Sequence, residues 1–401
     1  MRNRNVLISG AGVAGPALAW WLRRYGFAPT VVERAPTLRD GGYKIDIRGV
    51  ALTVVERMGL LDEIHANSTD VRTAWFVDRT GRGIAEMDAA LFGGRTGADV
   101  EIMRGDLGRL LHRATRSDVE YLFDDSVTAL VDRPDGVEVA FERAAARRFD
   151  LVIGADGVYS TVRSLAFGPH EMFVRGLGHY VSIFTVPNHL GLDREERLYA
   201  EPGRTVNVYS TRQDTAAKAL FLWASDPLGY DRRDLDRQRD LLAAAFAGAG
   251  WQVDRLLAAL PDAPDFYFDP VSQVHVDRWH AGRVALLGDA GYGASPASGQ
   301  GTGLALVGAY VLAGELAAAG GDHRTAFARY DGALRDFVAR NQALAPNNLR
   351  GMVLRSRAGV WASTRMIRLM PHLPGRDRMV RRVTEPIRRA ASGIELADYP
   401  A

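Results

Sequence analysis

Val6-Leu7-Ile8-Ser9-Gly10-Ala11-Gly12-Val13-Ala14-Gly15 runs a short apolar stretch straight into three glycines spaced G-x-G-x-x-G. The apolar run reads as a buried strand and the glycines as a tight turn. Ala17 to Tyr25 has helical composition and stops at Gly26, a natural C-terminal breaker. Thr30-Val31-Val32 is β-branched throughout and reads as a second strand. Strand, helix and strand within about thirty residues predict a parallel sheet and a Rossmann-like dinucleotide-binding unit. Each glycine has a task in such a unit. Gly10 permits the turn, Gly12 lets backbone approach a pyrophosphate, and Gly15 lets the helix pack on the strand. Ala14 lies in the same turn, and the helix start offers free N–H groups to phosphate. Glu33 ends the second strand eighteen residues past Gly15, where a carboxylate accepts from ribose hydroxyls. Arg34 follows it and could cover the adenine side, or stand in water.

Two further strand-and-turn units follow. Leu151-Val152-Ile153 leads into Gly154-Ala155-Asp156-Gly157 and a helical start at Ser160. Val284-Ala285-Leu286-Leu287 leads into Gly288-Asp289 and then a long Ala/Leu/Val helix. Between them, from Gly178 to about Val276, the texture changes. Apolar and polar residues alternate in Thr205-Val206-Asn207-Val208-Tyr209, and Ala219 to Trp223 is apolar throughout. Antiparallel sheet is expected there, interrupted by one helix over about Asp234 to Ala247. The sheet's aromatics are Tyr180, Phe184, Tyr209, Phe221, Trp223, Phe266, Tyr267 and Phe268. Most are expected in the core and a few in an apolar pocket.

Composition narrows the function. The chain has 401 residues, 47% hydrophobic and 24% charged, enough for two globular domains. A net charge of +2 provides no general field for nucleic acid, so none is expected as a partner. There is no cysteine, which removes disulfides, thiolate metal sites and cysteine nucleophiles and fits a cytoplasmic protein. Nine histidines occur without H-E-x-x-H spacing, and no G-x-S-x-G is found, so neither a metal site nor a serine hydrolase is expected. No secretory leader is expected at the start. Gly301 to Gly321 carries Glu315 as its one charge and could pass for a membrane helix. Its six glycines and upstream motif favour a buried helix instead. From Pro346 onward there are eleven arginines against four acids. A basic amphipathic helix can mark an anionic membrane. Helices packed across the domains with arginines in water are preferred, and no membrane association is expected.

The later motifs carry a family likeness. Leu151-Val152-Ile153-Gly154-Ala155-Asp156-Gly157, continuing to Ser160, Val162 and Arg163, resembles the Asp-Gly motif of the FAD-dependent aromatic hydroxylases, single-component flavoprotein monooxygenases. Gly282-Arg283-Val284 to Gly288-Asp289-Ala290, then Pro296, Gly299 and Gly301, resembles their Gly-Asp motif. Arg104 falls where that family has an arginine on the flavin cofactor. Gly41-Gly42-Tyr43-Lys44-Ile45-Asp46-Ile47-Arg48-Gly49 is most similar to the tetracycline-inactivating and natural-product oxygenases.

The resemblance implies an FAD-binding domain of residues 1–72, 101–170 and 282–322. It implies a β-rich substrate domain of 73–100 and 171–281, and C-terminal helices over 323–401. It implies FAD as cofactor, with Asp46 in contact with it, NAD(P)H as co-substrate and Arg39 as the NAD(P)H candidate. It implies hydroxylation of an aromatic or polycyclic small molecule by O2 through a flavin C4a-hydroperoxide, in a monomer. No side chain is expected to act as a catalytic nucleophile. Asp289 is expected on the ribityl chain, with helix capping as its plainer role. The Gly299–Gly301 turn is expected to aim helix N–H groups at the flavin edge. Asp156 is divided between cofactor contact and a structural cap paired with Arg163. Relatives often carry His where this chain has Tyr292, so a mechanism needing that His is not expected. The alternatives are a flavin oxidoreductase that inserts no oxygen and a non-catalytic flavin- or drug-binding protein.

Overall fold

The structure is a computed structural model and describes residues 2–38, 41–211, 215–370, 373–374 and 376–399. Its centre is set by the most apolar runs. Val6, Leu7, Ile8, Leu151, Val152 and Ile153 are all fully buried, and their strands lie side by side in parallel, with Ile8 opposite Ile153. Val284–Leu286 continues the sheet on one side, and Ala28–Glu33 and then Glu120–Phe123 on the other. A short antiparallel strand, His280–Ala281, completes six strands. Strands buried on both faces need no polar alternation, which is why these segments read as continuous apolar runs.

The helix after the first strand spans Ala14–Arg24 and ends before Gly26. The Gly301–Ala318 helix is long and apolar enough to cross a membrane, but nearly three quarters of it is buried in the fold. It packs against the Ala14–Arg24, Val50–Arg57 and His323–Gln342 helices. Its apolar character is therefore that of a core helix.

A second sheet of seven strands is built from Thr73–Val77, Gly83–Asp88, Val174–Val186, Glu195–Glu201, Arg204–Tyr209, Ala217–Ala224 and Tyr267–Val274. It is antiparallel except where Glu195–Glu201 runs parallel to Thr73–Val77. One face carries Phe184, Phe221, Trp223 and Phe268 against Leu242 and Phe246 from the Leu235–Ala245 helix and its end. The other face turns toward the six-stranded sheet. A two-stranded ribbon, Lys44–Ile47 with Val100–Met103, bridges the two sheets, and Met103 packs on Ile183 and Tyr209.

Candidate active site

The glycine turn has the geometry its spacing implies. Gly10 adopts φ +108°, and a Cβ there would lie 2.5 Å from the Ala155 carbonyl oxygen. A Cβ on Gly15 would lie 1.9 Å from the Gly10 oxygen, so only glycine lets this helix sit on its strand. Gly12 is more open, and the nearest atom to a Cβ there is Arg104 Nη2 at 3.5 Å. Ala14 is buried at the helix start. Glu33 braces the same turn: Ala11 N–H donates to Oε2 at 2.8 Å and Ala35 N–H to Oε1 at 2.9 Å. Each carboxylate oxygen keeps a lone pair for another donor. Arg34 is exposed beside it, and Arg39 lies outside the described residues.

Arg104 opens the Arg104–Arg113 helix directly after the ribbon, and its N–H donates to the Tyr43 carbonyl. Its charge acts on two neighbouring groups, Tyr43 and Asp289. Asp289 is the informative one. Solvent reaches it, yet burial among protein atoms pushes its carboxyl above the ordinary value, with Arg104 pulling the other way. A group walled by protein and still wet lines a deep cleft. Among the described residues nothing donates a hydrogen bond to this carboxylate. It is not a cap either: Gly288 holds the cap position, with φ +63° and no side-chain bond. A carboxylate in such a place needs donors from outside the chain.

The turn that follows completes the cleft wall. Pro296 and Gly299 are exposed; Gly299 adopts φ +66°, and among the described residues nothing lies within 4 Å of a Cβ placed on it. A Cβ on Gly301 would lie 3.8 Å from Asp289 Oδ1, so the carboxylate sits at the mouth of the Gly301–Ala318 helix. That helix has no acid in its first turn and no side-chain cap. Its first N–H groups are therefore unmet within the helix. Among the described residues the Gln300 Nε2 amide beside them is buried without a partner. A carboxylate, an arginine and an uncapped helix start around open space fit a ligand that has both hydroxyl donors and an electron-accepting edge, as FAD has.

Other expected residues have their side chains taken up by partners within the chain. Asp46 has both oxygens taken by arginines, Oδ2 by Arg48 at 2.6 Å and Oδ1 by Arg95 at 3.3 Å. It belongs to a buried cluster where Lys44 Nζ lies 2.9 Å from Glu196 and 3.4 Å from Glu101, which also meets Arg95. Burial pushes the Lys44 ammonium down, but Glu101 and Glu196 outweigh it and hold the group above its ordinary value. This cluster ties the ribbon to the seven-stranded sheet. Asp156 accepts from Ser160 Oγ and from Val162 N–H at 3.1 Å, as a cap does. Its expected partner Arg163 instead donates to the Ala290 carbonyl at 2.8 Å and the Val158 carbonyl at 2.6 Å. Arg163 thus links the Asp-Gly loop to the Gly-Asp motif through backbone. Tyr292 points into the core, its hydroxyl 2.8 Å from that of Tyr330 and its ring against Trp279.

Six of the eight named sheet aromatics pack on the face away from the cleft; Tyr209 and Tyr267 lie on the near face. Three residues not singled out from the sequence complete the near wall with Tyr267. The Tyr43 ring lies 6.4 Å from that of Tyr267. Tyr267 and Tyr159 hydroxyls donate to the two oxygens of Asp269, at 3.1 and 2.9 Å. Burial pushes the Asp269 carboxyl up, against Arg232 and these two hydroxyls. Their one signal in sequence is the spacing of Tyr267 and Asp269, two apart on one strand face.

Comparisons with known proteins agree with the cleft. Residues 3–326 match a family described as FAD binding domain. The chain is 40% identical over 400 residues, 99% of both chains, to a flavin-dependent monooxygenase from an unknown prokaryotic organism. It is 41% identical to a flavin-dependent monooxygenase of Legionella longbeachae over 341 residues, 85% of this chain and 87% of the relative. Its fold matches the crystal structure of tetracycline destructase Tet(51) with TM-score 0.87 and 35% identity, covering 99% of this chain and 100% of the other.

Proposed function

The chain belongs to the FAD binding domain family and is a flavin-dependent monooxygenase, and we propose that it takes electrons from NAD(P)H and oxygenates an aromatic or polycyclic small molecule. Bound there, FAD would supply the transfer of two electrons from NAD(P)H to O2, so that one oxygen atom goes to an electron-rich carbon of the substrate and the other leaves as water. The unpartnered Asp289 carboxylate at the helix mouth carries this reading. It would accept from the ribityl hydroxyls, and Glu33 from those of the ribose. Gly10, Gly12, Ala14 and Gly15 would leave room for the pyrophosphate at the Ala14–Arg24 helix start. Arg104 would lie over the flavin side of the cleft. Gly301 at the helix start would present its N–H where negative charge collects on reduction, while Gly299, whose own N–H donates to the Pro296 carbonyl, would shape the turn. Tyr43, Tyr267 and Asp269 would wall the substrate side and keep water out. The seven-stranded sheet would thus act as the substrate domain, and the six-stranded sheet with its helices as the cofactor domain.

The resemblance to a tetracycline destructase sets the first compound to try. FAD-loaded protein is mixed with tetracycline, other polycyclic phenols or simple phenols, and NADH or NADPH oxidation is followed. At least one polycyclic compound should stimulate oxidation several-fold over the compound-free rate. If every polycyclic compound leaves that slow rate unchanged, the substrate class proposed here is wrong.

A further inference from the structure

From Phe337 to Gly375 the sequence holds six arginines and no acidic residue, in a chain of net charge +2. The remainder of the chain is therefore net negative, and positive charge is concentrated here. The middle of this stretch is the Arg357–Leu369 helix, started by Ser356, whose hydroxyl accepts from Gly359 N–H. One side of the helix faces protein. Val360, Thr364 and Ile367 are half-buried, and Arg357, Val360 and Thr364 border a cavity of about 1120 Å3 against Glu201, Arg204 and Trp223.

The opposite side mixes large apolar side chains with arginines. Trp361 is 63% exposed, Met366 51% and Leu369 48%. At 100° per residue these three fall on one outward arc, together with Ala358 and Ala362. Arg365 stands within the arc, its guanidinium 5.3 Å from the centre of the Trp361 ring. Exposed Arg368 stands at one edge of it, next to Arg357. A helix seated on a protein by one side ordinarily shows water its charged side. This one shows an aromatic ring, two long apolar chains and arginines.

Against the expectation from the sequence that no membrane is bound, we propose that this face docks the enzyme on an anionic phospholipid surface. Tryptophan is favoured at headgroup depth, and methionine and leucine gain by entering the acyl boundary. The arginines reach acidic headgroups while their stems lie along the apolar region. With no acid in the stretch, nothing there repels an anionic bilayer. A nucleic acid would satisfy the arginines and leave Met366 and Leu369 unburied. A second copy of the same face would set arginine against arginine.

The test uses the full FAD-loaded chain and sedimentation with vesicles, either phosphatidylcholine alone or mixed with phosphatidylglycerol. Binding is expected to the mixed vesicles only, and it should be lost at high salt, where the charges are screened. Arg365→Ala with Arg368→Ala should weaken it about 25-fold, about fivefold per arginine, from ~1 kcal/mol for each basic side chain at an anionic surface. Trp361→Ser with Met366→Ser should also release the protein, while the flavin spectrum and turnover stay unchanged. Failure to sediment with anionic vesicles, or undiminished binding by the Trp361→Ser, Met366→Ser protein, overturns the proposal. So does a vesicle-free dimer that this variant abolishes, which would give the face to a second copy.

Discussion

Ala11 N–H donates to Glu33 Oε2 at 2.8 Å, so the end of the second strand holds the glycine turn that follows the first. The carboxylate placed for ribose hydroxyls is thereby fixed before any ligand arrives, with little freedom left to lose on binding.

Glu33→Ala should therefore weaken FAD by about 1.5–3 kcal/mol, the range for a hydrogen bond to a charged group. Titration of FAD-free protein with FAD measures it. Unchanged affinity would contradict the ribose assignment and leave Glu33 as a brace alone.

Asp289 gives a pH dependence with a definite sign. Burial raises its carboxyl above the ordinary value in the FAD-free protein. Ribityl hydroxyls donating to it would favour the ionised form and lower that value again. Affinity should therefore be full above the raised value and fall as pH drops through it. Asp289→Asn should flatten that dependence and retain flavin less well at neutral pH. Equal FAD affinity in both proteins at all pH values would remove Asp289 from the cofactor.

The two faces of the seven-stranded sheet should separate stability from substrate response. Phe221 is fully buried, stacked on Phe184 at 5.5 Å and edge-on to Phe246 at 4.9 Å. Phe221→Ala should cost about 3–5 kcal/mol of stability and leave substrate-stimulated NAD(P)H oxidation intact in the folded fraction. Tyr267→Phe, which keeps the ring, should change stimulation with little loss of stability. Denaturant curves with oxidation rates on both variants check this, and the reverse pattern would exchange the faces.

Only part of this architecture was legible in the sequence. The three strand-and-turn units were legible because each joins an apolar run to glycines, and their strands are neighbours in one parallel sheet. The faces of the second sheet were not. Ala219 to Trp223 is apolar on both sides because Phe221 enters one core while Leu222 enters another, so no alternation marks inside from outside. The ribbon was hidden as well, since Lys44–Ile47 meets Val100–Met103 across more than fifty residues. Its charges are half the reason it reads poorly. Lys44, Asp46 and Glu101 look like surface residues until their partners are known. The alternative that pairs Arg163 with Asp156 could not show that the fold brings Arg163 the Ala290 carbonyl.

Gly299 tests the helix mouth. Its φ of +66° lies where an L side chain costs about 1–2 kcal/mol, and a valine there would project into the cleft beside Asp289. Gly299→Val should lower FAD occupancy and raise the peroxide released per NAD(P)H oxidised, read by a peroxide assay on flavin-loaded protein. Normal occupancy with unchanged peroxide would mean the turn does not meet the flavin.

Oxygen insertion into substrate is the central claim, and turnover under isotopically labelled O2 in ordinary water, with the product weighed by mass spectrometry, tests it most directly. With a compound that stimulates NAD(P)H oxidation, the product should gain one oxygen atom, and that atom should carry the label. A product that forms equally well without O2, or whose new oxygen is unlabelled, would contradict oxygen insertion and favour a flavin oxidoreductase on the same fold.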